Sequence, residues 1–140
     1  MGGEHDTSKR LMEQPACKEK DFLDGLGTGA TCWPASLVLT KFLEKQWMHI
    51  YNRLQKSNKL YVVELGAGCG LVGIACQILG AHFVLCTDGA AEVVDLTRNN
   101  ISANCHLFEN RCGIKACSYR WGEDGNSEIN DIADKVNLIV

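Results

Sequence analysis

One stretch of this 140-residue chain, Tyr61 to Asp88 with the sequence YVVELGAGCGLVGIACQILGAHFVLCTD, constrains the fold more than any other. An apolar β-type run leads into a glycine-rich turn, and an apolar segment of helical character follows. Gly80 is the residue type that ends helices, and a second apolar run then finishes at Asp88. This order predicts the first strand–helix–strand unit of a nucleotide-binding α/β sheet, doubly wound and mostly parallel.

The glycine-rich turn carries glycines at alternate positions, Gly66, Gly68 and Gly70. A strand that turns sharply into a helix while its backbone passes close to a ligand leaves no room for side chains. Some of these positions are also expected to need positive φ. The ligand would lie at the carboxyl end of the strand, over the amino end of the helix, where free N–H groups favour negative charge.

The choice of ligand depends on two acids, Glu64 at the end of the first run and Asp88 at the end of the second. The segment 68–73 formally matches the dinucleotide fingerprint GxGxxG, but that pattern alone is weak. A pyrophosphate would gain nothing from Glu64, whereas S-adenosylmethionine carries a cationic ammonium, a cationic sulfonium and one carboxylate. A carboxylate at Asp88 can accept hydrogen bonds from both ribose hydroxyls. These residues favour S-adenosylmethionine over a dinucleotide.

The bulk composition limits the classes of partner. Hydrophobic residues make up 46% of the chain, which is enough for one modest core. The net charge of −3 gives no sign of nucleic-acid binding through bulk charge. No apolar run approaches the ~20 residues that span a bilayer, and the polar amino terminus lacks a signal-peptide core. We therefore expect neither nucleic-acid nor membrane partners.

The eight cysteines include no CxxC pair, and several occupy apolar strand or helix positions, where free cysteine behaves as a small hydrophobe. This usage fits a reducing compartment better than a disulfide scaffold, so we expect a cytoplasmic protein, with the nucleus as a second compartment. Cys105, His106, Cys112 and Cys117 are metal-ligating types, but their spacing does not match the usual zinc knuckles. We predict no metal site.

The segments before the central stretch are predicted to form a tail, a loop and a helix. Residues 1–24 are charged, show little apolar periodicity and predict a flexible tail, followed by a flexible glycine loop at 25–29. Pro34 begins a helix that runs to about Leu54 or breaks near Gln46. Its apolar residues recur at three- and four-residue spacing and predict one buried face: Leu39, Phe42, Leu43, Trp47, Ile50 and Leu54.

After the glycine-rich unit the pattern predicts one helix, a polar loop at 104–113 and two more strands. The helix covers about 89–103. Four of its residues are expected to face the sheet: Val93, Leu96, Thr97 and Ile101. The third strand covers 114–121 and the fourth covers 136–140. Because the chain stops inside an apolar strand, we expect a truncated domain in which 25–140 form the amino-terminal, cofactor-binding part.

Six motifs appear in the order found in one family. They are Trp33-Pro34-Ala35, VVELGAGCGLVG, CTD, Asn100-Ile101 with Asn104, Tyr119-Arg120-Trp121-Gly122 and VNLIV. Together they resemble the family-16 seven-strand methyltransferases, a group that methylates lysines in proteins. The resemblance implies a Rossmann-like class I methyltransferase fold, S-adenosyl-L-methionine as cofactor, and a protein substrate such as a chaperone or an ATPase.

The resemblance also implies roles for individual residues. Trp33 matches a tryptophan beside the cofactor, Asp88 matches the ribose-binding acid, and Trp121 matches the tryptophan next to the adenine. The segment that wraps the methionine part of the cofactor matches Gly66, Ala67 and Gly68. Without the family, either tryptophan could be a core aromatic, and Asp88 could cap the following helix. Asn100 is interpreted as a helix-surface residue outside the site.

The predicted function is S-adenosylmethionine-dependent methylation of a lysine in a protein. Two other hypotheses stay open: a non-catalytic, truncated isoform that binds the cofactor or a partner, and an NAD-type oxidoreductase. In the family the substrate-side motif follows the strand that VNLIV matches, so catalytic residues would lie beyond Val140 and none is predicted. The methyl acceptor, the activity of the 140-residue form and its oligomeric state are left open.

Overall fold

The computed structural model describes residues 26–109, 113–123 and 126–140. The helices are α1 (Pro34–Leu54), α2 (Leu71–Ile78), α3 (Ala91–Asn104) and α4 (Ser127–Asn130). The strands are β1 (Tyr61–Leu65), β2 (Phe83–Asp88), β3 (Ile114–Ser118) and β4 (Leu138–Ile139). Short 3₁₀ helices cover Gly27–Ala30, Cys105–Leu107 and Ala133–Lys135. The tail predicted over 1–24 lies outside the described residues.

The four strands form one parallel sheet in the order β3-β2-β1-β4. Val84 of β2 pairs with Val62 of β1 and with Ile114 of β3, and Val62 pairs on its other side with Leu138 of β4. The first three strands therefore spread to one side, and the chain then returns to place β4 on the other. This reversal defines a doubly wound sheet, whose ligands bind at the carboxyl ends of the strands. The predicted α/β fold is confirmed.

β3 is shorter than the sequence predicted. It ends at Ser118 rather than Trp121. Tyr119 still donates its N–H to the carbonyl oxygen of Asp88 at 2.8 Å. Since β2 ends at Asp88, the residues after Tyr119 have no strand beside them to pair with. The length of β3 is therefore set by its neighbour, which a local apolar pattern does not report.

β4 contains only two of the five residues predicted for the fourth strand. Backbone hydrogen bonds nevertheless continue on both sides of it: Asn137 N–H donates to the Tyr61 carbonyl, and Leu65 N–H donates to the Val140 carbonyl, both at 3.0 Å. The segment 137–140 therefore lies along β1, as the apolar run indicated.

α1 runs without a break for 21 residues, with Pro34 at a first-turn position where its missing N–H is not needed. Leu43 and Trp47 are buried, as predicted. The prediction was wrong for Phe42, which is 55% exposed. Successive residues of an α-helix are about 100° apart, so Phe42 falls outside the stripe that Leu43 and Trp47 define.

Hydrophobic clusters lie on both faces of the sheet, as parallel sheets require. The larger cluster joins α1, α2 and α3 to one face through the strand residues Val62, Val84 and Cys86. The smaller cluster lies on the other face and is built from Val63, Leu85, Cys117 and Ile132. In the described ranges no helix is long and apolar enough to cross a bilayer.

Two predicted loops contain regular structure. Gly27–Ala30 forms a 3₁₀ helix, so the prediction of a flexible loop over 25–29 was wrong for residues 27–29. α3 extends to Asn104, and Cys105–Leu107 continues it as a 3₁₀ turn in the predicted polar loop. Phe108 is buried and packs in the larger cluster, which gives this turn an apolar anchor. Three of the four residues predicted to face the sheet from α3 are buried, and Ile101 is half-buried.

Candidate cofactor site

The glycine loop, residues 66–70, connects β1 to α2. Its three glycines have φ of 68°, 57° and 79° at Gly66, Gly68 and Gly70, a region that other L-residues rarely adopt. A Cβ at Gly68 would lie 3.1 Å from the carbonyl oxygen of Gly29, so the 3₁₀ segment before α1 passes directly over the loop. Ala67 is buried, and its N–H donates to the carbonyl oxygen of Thr87 at 2.8 Å. The predicted positive φ is confirmed.

Glu64, predicted as a cofactor-binding acid, lies in the core behind the glycine loop. Its side chain is 5% exposed, and Oε2 accepts a hydrogen bond from the N–H of Gly73 at 2.9 Å. The N–H of Val72 also bonds to this carboxylate. Both N–H groups belong to the first turn of α2, where the helix itself offers no acceptor. Glu64 therefore caps α2 from the adjacent strand, and its direct contact with a cofactor stays a prediction.

Gly73 is the residue type that this cap requires. A Cβ at Gly73 would lie 2.6 Å from Glu64 Oε2 and would overlap the Sγ of Cys86. A glycine inside a helix is unfavourable relative to alanine, so its presence reflects the close approach of α2 to the sheet. The last glycine of the formal GxGxxG match therefore reflects helix–strand packing and does not identify the ligand.

Burial raises the pKa of the Glu64 carboxyl group from its usual 4.5 to about 7. The negative charge of Asp88 adds to the rise, while hydrogen bonds from Cys86 and Gly73 lower the pKa. Between these two pH values the folded protein holds a proton that the unfolded chain has released. The free energy of unfolding is therefore expected to fall as the pH rises through this window.

Asp88 ends β2 beside the glycine loop and is partly exposed. Oδ2 accepts a hydrogen bond from the N–H of Gly68 at 3.1 Å, and Oδ1 accepts one from the N–H of Ala90 at 3.2 Å. Ala90 immediately precedes α3, so this second bond orders the turn into that helix. An ionised carboxylate has about four acceptor positions, which leaves capacity for ribose hydroxyls on both oxygens. The ribose contact itself stays a prediction.

Two tryptophans predicted to lie beside the cofactor are exposed. Trp121 is 72% exposed, and its Cζ2 lies 3.7 Å from the position of a Cβ built on Gly66. Trp33 stands at the beginning of α1, where its Nε1 donates to the carbonyl oxygen of Thr28 at 3.1 Å. The alternative that these are core aromatics is wrong for both.

The predicted site residues thus fall into three positions. Asp88 and Trp121 both lie against the glycine loop, which contains the predicted methionine-binding segment. Glu64 lies behind the loop, inside the core. Trp33 is joined through Thr28 to the 3₁₀ segment that passes over the loop. The structure therefore brings the loop, Asp88 and Trp121 together at the carboxyl end of the sheet.

Two residues of α3 that hold the glycine loop were left out of the predicted site. Thr97 Oγ1 donates to the carbonyl oxygen of Gly68 at 2.7 Å, and Asn100 Nδ2 donates to that of Cys69 at 2.8 Å. The interpretation of Asn100 as a surface residue is wrong, since it is 9% exposed. A usable signal was present in the sequence: residues 97, 100 and 104 are polar and share a helix face with Val93. Polar groups on a buried face need partners.

The six cysteines in the described ranges are free thiols. Cys69 of the glycine loop contacts the exposed thiol of Cys32, and burial raises the pKa of Cys69 to about 11. Burial also raises the pKa of Cys76 and of Cys86. Across 26–109, 113–123 and 126–140, no group of three or more His, Cys, Asp or Glu could hold a metal ion. Cys112 lies outside these ranges.

The strand order, the glycine loop and the acid at the end of β2 define a Rossmann-like class I methyltransferase fold. A solved structure shares it: the crystal structure of a proposed RNA methyltransferase from Pyrococcus horikoshii matches with a TM-score of 0.50 and 20% sequence identity. The match covers 79% of this chain and 48% of that one. At this identity the likeness concerns the fold alone.

The chain belongs to the lysine methyltransferase family, whose sequence model matches residues 17–140. The resemblance drawn from the motifs is therefore confirmed. Protein N-lysine methyltransferase METTL21A of Xenopus tropicalis is 38% identical over 99 residues, which are 70% of this chain and 41% of that protein. EEF1A lysine methyltransferase 3 of the same species is 35% identical over 99 residues, which are 71% of this chain and 39% of that protein. Protein-lysine methyltransferase METTL21E of Bos taurus is 45% identical over 76 residues, which are 54% of this chain and 24% of that protein. The chain spans less than half the length of these relatives.

Proposed function

We propose that this chain binds S-adenosylmethionine and forms the cofactor-binding part of an enzyme that methylates lysine in a protein. The observation that carries the proposal is the 3.1 Å hydrogen bond between the N–H of Gly68 and Oδ2 of Asp88. It holds the acid that ends β2 at the rim of the glycine loop, so that one ligand can contact both. Membership of the lysine methyltransferase family supports the reaction.

The residues around the glycine loop fit a sulfonium nucleoside. Gly66 and Gly68 carry no side chain, so a methionine part can approach the backbone closely. Asp88 is partly exposed and offers acceptors to a ribose diol. Trp121 presents an exposed aromatic ring beside Gly66, which suits a flat adenine base.

The same geometry argues against a dinucleotide. Pyrophosphates in Rossmann folds bind the free N–H groups at the amino end of the first helix. In this chain the N–H groups of Val72 and Gly73 already bond to the carboxylate of Glu64. That carboxylate, when ionised, would also repel a diphosphate. The glycine-rich motif therefore supports a cofactor without phosphate.

Methyl transfer is an in-line displacement for which the bound cofactor supplies the electrophilic methyl group. The glycine loop, Asp88 and Trp121 would bind and orient that cofactor, which is the main contribution a protein makes to such a step. A lysine amine must be neutral to attack, so the complete site needs an apolar channel or a proton acceptor. Glu64 is not a candidate for that acceptor, because its carboxylate is buried and bonded to α2.

A protein lysine as methyl acceptor is supported by the names of the relatives. METTL21A and METTL21E are named as protein-lysine methyltransferases, and the third relative is named for lysine methylation of EEF1A. A chaperone or ATPase as the particular substrate stays a prediction, as does the cytoplasmic location.

A second candidate function is a non-catalytic role in binding the cofactor or a partner. Cofactor binding is common to both candidates, and only methyl transfer separates them.

Isothermal titration calorimetry with S-adenosylhomocysteine and with NAD tests the cofactor proposal. We expect the chain to bind S-adenosylhomocysteine and not NAD, and the reverse preference would overturn the proposal. Incubation with methyl-labelled S-adenosylmethionine and a cell lysate then separates the two functions. Label on protein lysines supports the enzyme, whereas binding without transfer supports the non-catalytic role.

A further inference from the structure

We infer that Thr97 and Asn100 of α3 are positioning residues that fix the conformation of the glycine loop for its ligand, an assignment that rests on the proposed cofactor site. Neither residue was assigned to the site by its sequence context. Both donate side-chain hydrogen bonds to successive carbonyl oxygens of the loop, those of Gly68 and Cys69.

The glycine loop needs such support because its backbone has unusual freedom. Glycine adopts positive and negative φ about equally well, so the peptide groups on either side of Gly68 and Gly70 can rotate as units. Each trans peptide points its C=O and its N–H in opposite directions. A rotation would therefore present a carbonyl oxygen where an N–H had been, and the surface offered to the ligand's carboxylate and ammonium would change sign.

Thr97 and Asn100 hold two of these peptide groups in one orientation. The bonds measure 2.7 Å from Thr97 Oγ1 to the Gly68 oxygen and 2.8 Å from Asn100 Nδ2 to the Cys69 oxygen. Both side chains are buried, so water does not compete for these bonds. The Thr97 hydroxyl also lies 3.0 Å from the carbonyl oxygen of Val93, within α3 itself, so its single hydrogen is shared between the two carbonyls and lies closer to that of Gly68.

Asp88 holds the same loop from its other side. Its Oδ2 accepts the N–H of Gly68, while Thr97 donates to the carbonyl of Gly68. Its Oδ1 accepts the N–H of Ala90, the residue before α3. The loop and the predicted ribose-binding acid are therefore both tied to one helix. This arrangement sets the spacing of the two ligand contacts before the ligand arrives, so less order must be gained on binding.

Asn104 provides a matched control on the same helix face. It is also buried, but its Nδ2 donates to the carbonyl oxygen of Asn100 at 2.8 Å, within α3, and not to the glycine loop. Replacing Asn104 removes a buried side-chain hydrogen bond of the same chemistry. Its effect on ligand binding measures how much a general loss of stability in α3 contributes.

The test compares Thr97→Val, Asn100→Leu and Asn104→Leu by calorimetry with S-adenosylhomocysteine, at a temperature where thermal melts show every variant folded. We expect Thr97→Val and Asn100→Leu each to bind about five- to tenfold more weakly, the effect of losing one buried hydrogen bond. Asn104→Leu is expected to bind within about twofold of the wild type. Thr97→Ser keeps the hydroxyl and is expected to restore most of the affinity that Thr97→Val loses.

Amide hydrogen exchange gives a readout that a merely stabilising role would not move. In Thr97→Val we expect faster exchange at residues 68–70, with β2 unchanged. If Asn100→Leu does not fold, Asn100→Ser replaces it, because serine is too short to reach the Cys69 oxygen. Equal affinities of the Thr97, Asn100 and Asn104 variants would overturn the positioning roles. Failure of the wild type itself to bind S-adenosylhomocysteine would instead overturn the proposed function.

Discussion

The carboxyl ends of β1 and β2 each carry an acid that the sequence assigned to the cofactor, and the structure places the two differently. Glu64 is buried in the core, where it bonds to the first turn of α2. Asp88 is partly exposed, where it bonds to Gly68 and Ala90 at the entrance to the loop. Two carboxylates on neighbouring strands of one sheet therefore serve different purposes.

The difference follows from what lies beside each strand end. Glu64 pairs in register with Cys86 and points toward α2, whose first turn has unbonded N–H groups. Asp88 lies one residue beyond the last pair of the β1–β2 ladder, Leu65 with Thr87. There its neighbour is the glycine loop, which has few side chains to cover it. An acid beneath a helix end becomes a cap, and an acid beside a bare loop stays available to a ligand.

The largest expected effect comes from a matched pair of glycine substitutions, one beside each acid. In Gly73→Ala the new Cβ would overlap Cys86 Sγ and lie 2.6 Å from Glu64 Oε2. We expect a loss of about 3–4 kcal/mol in the free energy of unfolding, because a tightly packed core is overfilled and the cap is displaced. In Gly89→Ala the nearest atom is Arg120 Cγ at 3.4 Å, an ordinary contact.

The Gly89→Ala variant is therefore expected to change stability by less than about 1 kcal/mol. Urea denaturation of both variants and the wild type measures the difference. Equal losses of stability in the two variants would show that a side chain at position 73 is no more crowded than one at position 89, which would contradict the close packing of α2 against Glu64.

The next largest effect is the pH dependence of stability that arises from the buried Glu64. The pKa of Glu64 is raised by burial from 4.5 to about 7, so the folded state holds a proton that the unfolded chain releases. The contribution of Glu64 to stability should therefore be largest below the lower value, fall by about 3 kcal/mol as the pH rises to the upper value, and level off above it. Glu64→Gln cannot titrate, so its stability should lack this fall.

Denaturation midpoints of the wild type and Glu64→Gln, measured between about pH 4 and about pH 8 so that the scan covers the whole window, measure the effect. All other titratable groups are common to both proteins and cancel in the difference. Parallel curves for the two proteins would mean that the pKa of Glu64 is the same in the folded and unfolded states, so that the effect of its burial is compensated in full.

Much of this fold could be predicted from local sequence. Local conformation is determined by the proline at the start of α1, the alternate glycines and the apolar runs. The helices and strands of the structure lie at these positions. The end of β3 could not be predicted, because it depends on where β2 stops. The burial of Glu64 could not be predicted either, since an acid at a strand end gives no sign of which helix turn lies over it.

The candidate site also combines features that local sequence predicts with features that depend on residues distant in sequence. The loop and Asp88 were predicted to form the site because their residue types are unusual in apolar surroundings. The position of Asn100 on the face of α3 shared with Val93 signalled a buried polar side chain, but its partner, the Cys69 carbonyl, is 31 residues away in sequence and could not be identified from α3 alone. Sequence can therefore show that a polar side chain on an apolar helix face needs a partner, but it does not show which backbone group that partner is.

A smaller effect is expected on ligand affinity from exchanging each acid for its amide. Asp88→Asn should weaken the binding of S-adenosylhomocysteine by about 1–2 kcal/mol, since a neutral amide accepts ribose hydrogen bonds less well than a carboxylate. Glu64→Gln should change affinity by less than about 0.5 kcal/mol, because its side chain faces α2. Calorimetry at one pH compares the affinities of the two variants for S-adenosylhomocysteine. Equal losses of affinity would mean that Glu64 contacts the ligand directly.

The smallest effect is expected at Trp121, which tests whether the bare loop beside Asp88 is a binding surface. Because Trp121 is 72% exposed, Trp121→Ala should change the free energy of unfolding by less than about 0.5 kcal/mol. Its ring stands beside Gly66, so the loss of a stacking surface should weaken S-adenosylhomocysteine binding by about 1 kcal/mol. Titration of the ligand followed by tryptophan fluorescence should show quenching in the wild type that is reduced in the variant. Unchanged affinity with unchanged quenching would place the adenine elsewhere and would leave Asp88 as the predicted ligand contact beside the loop.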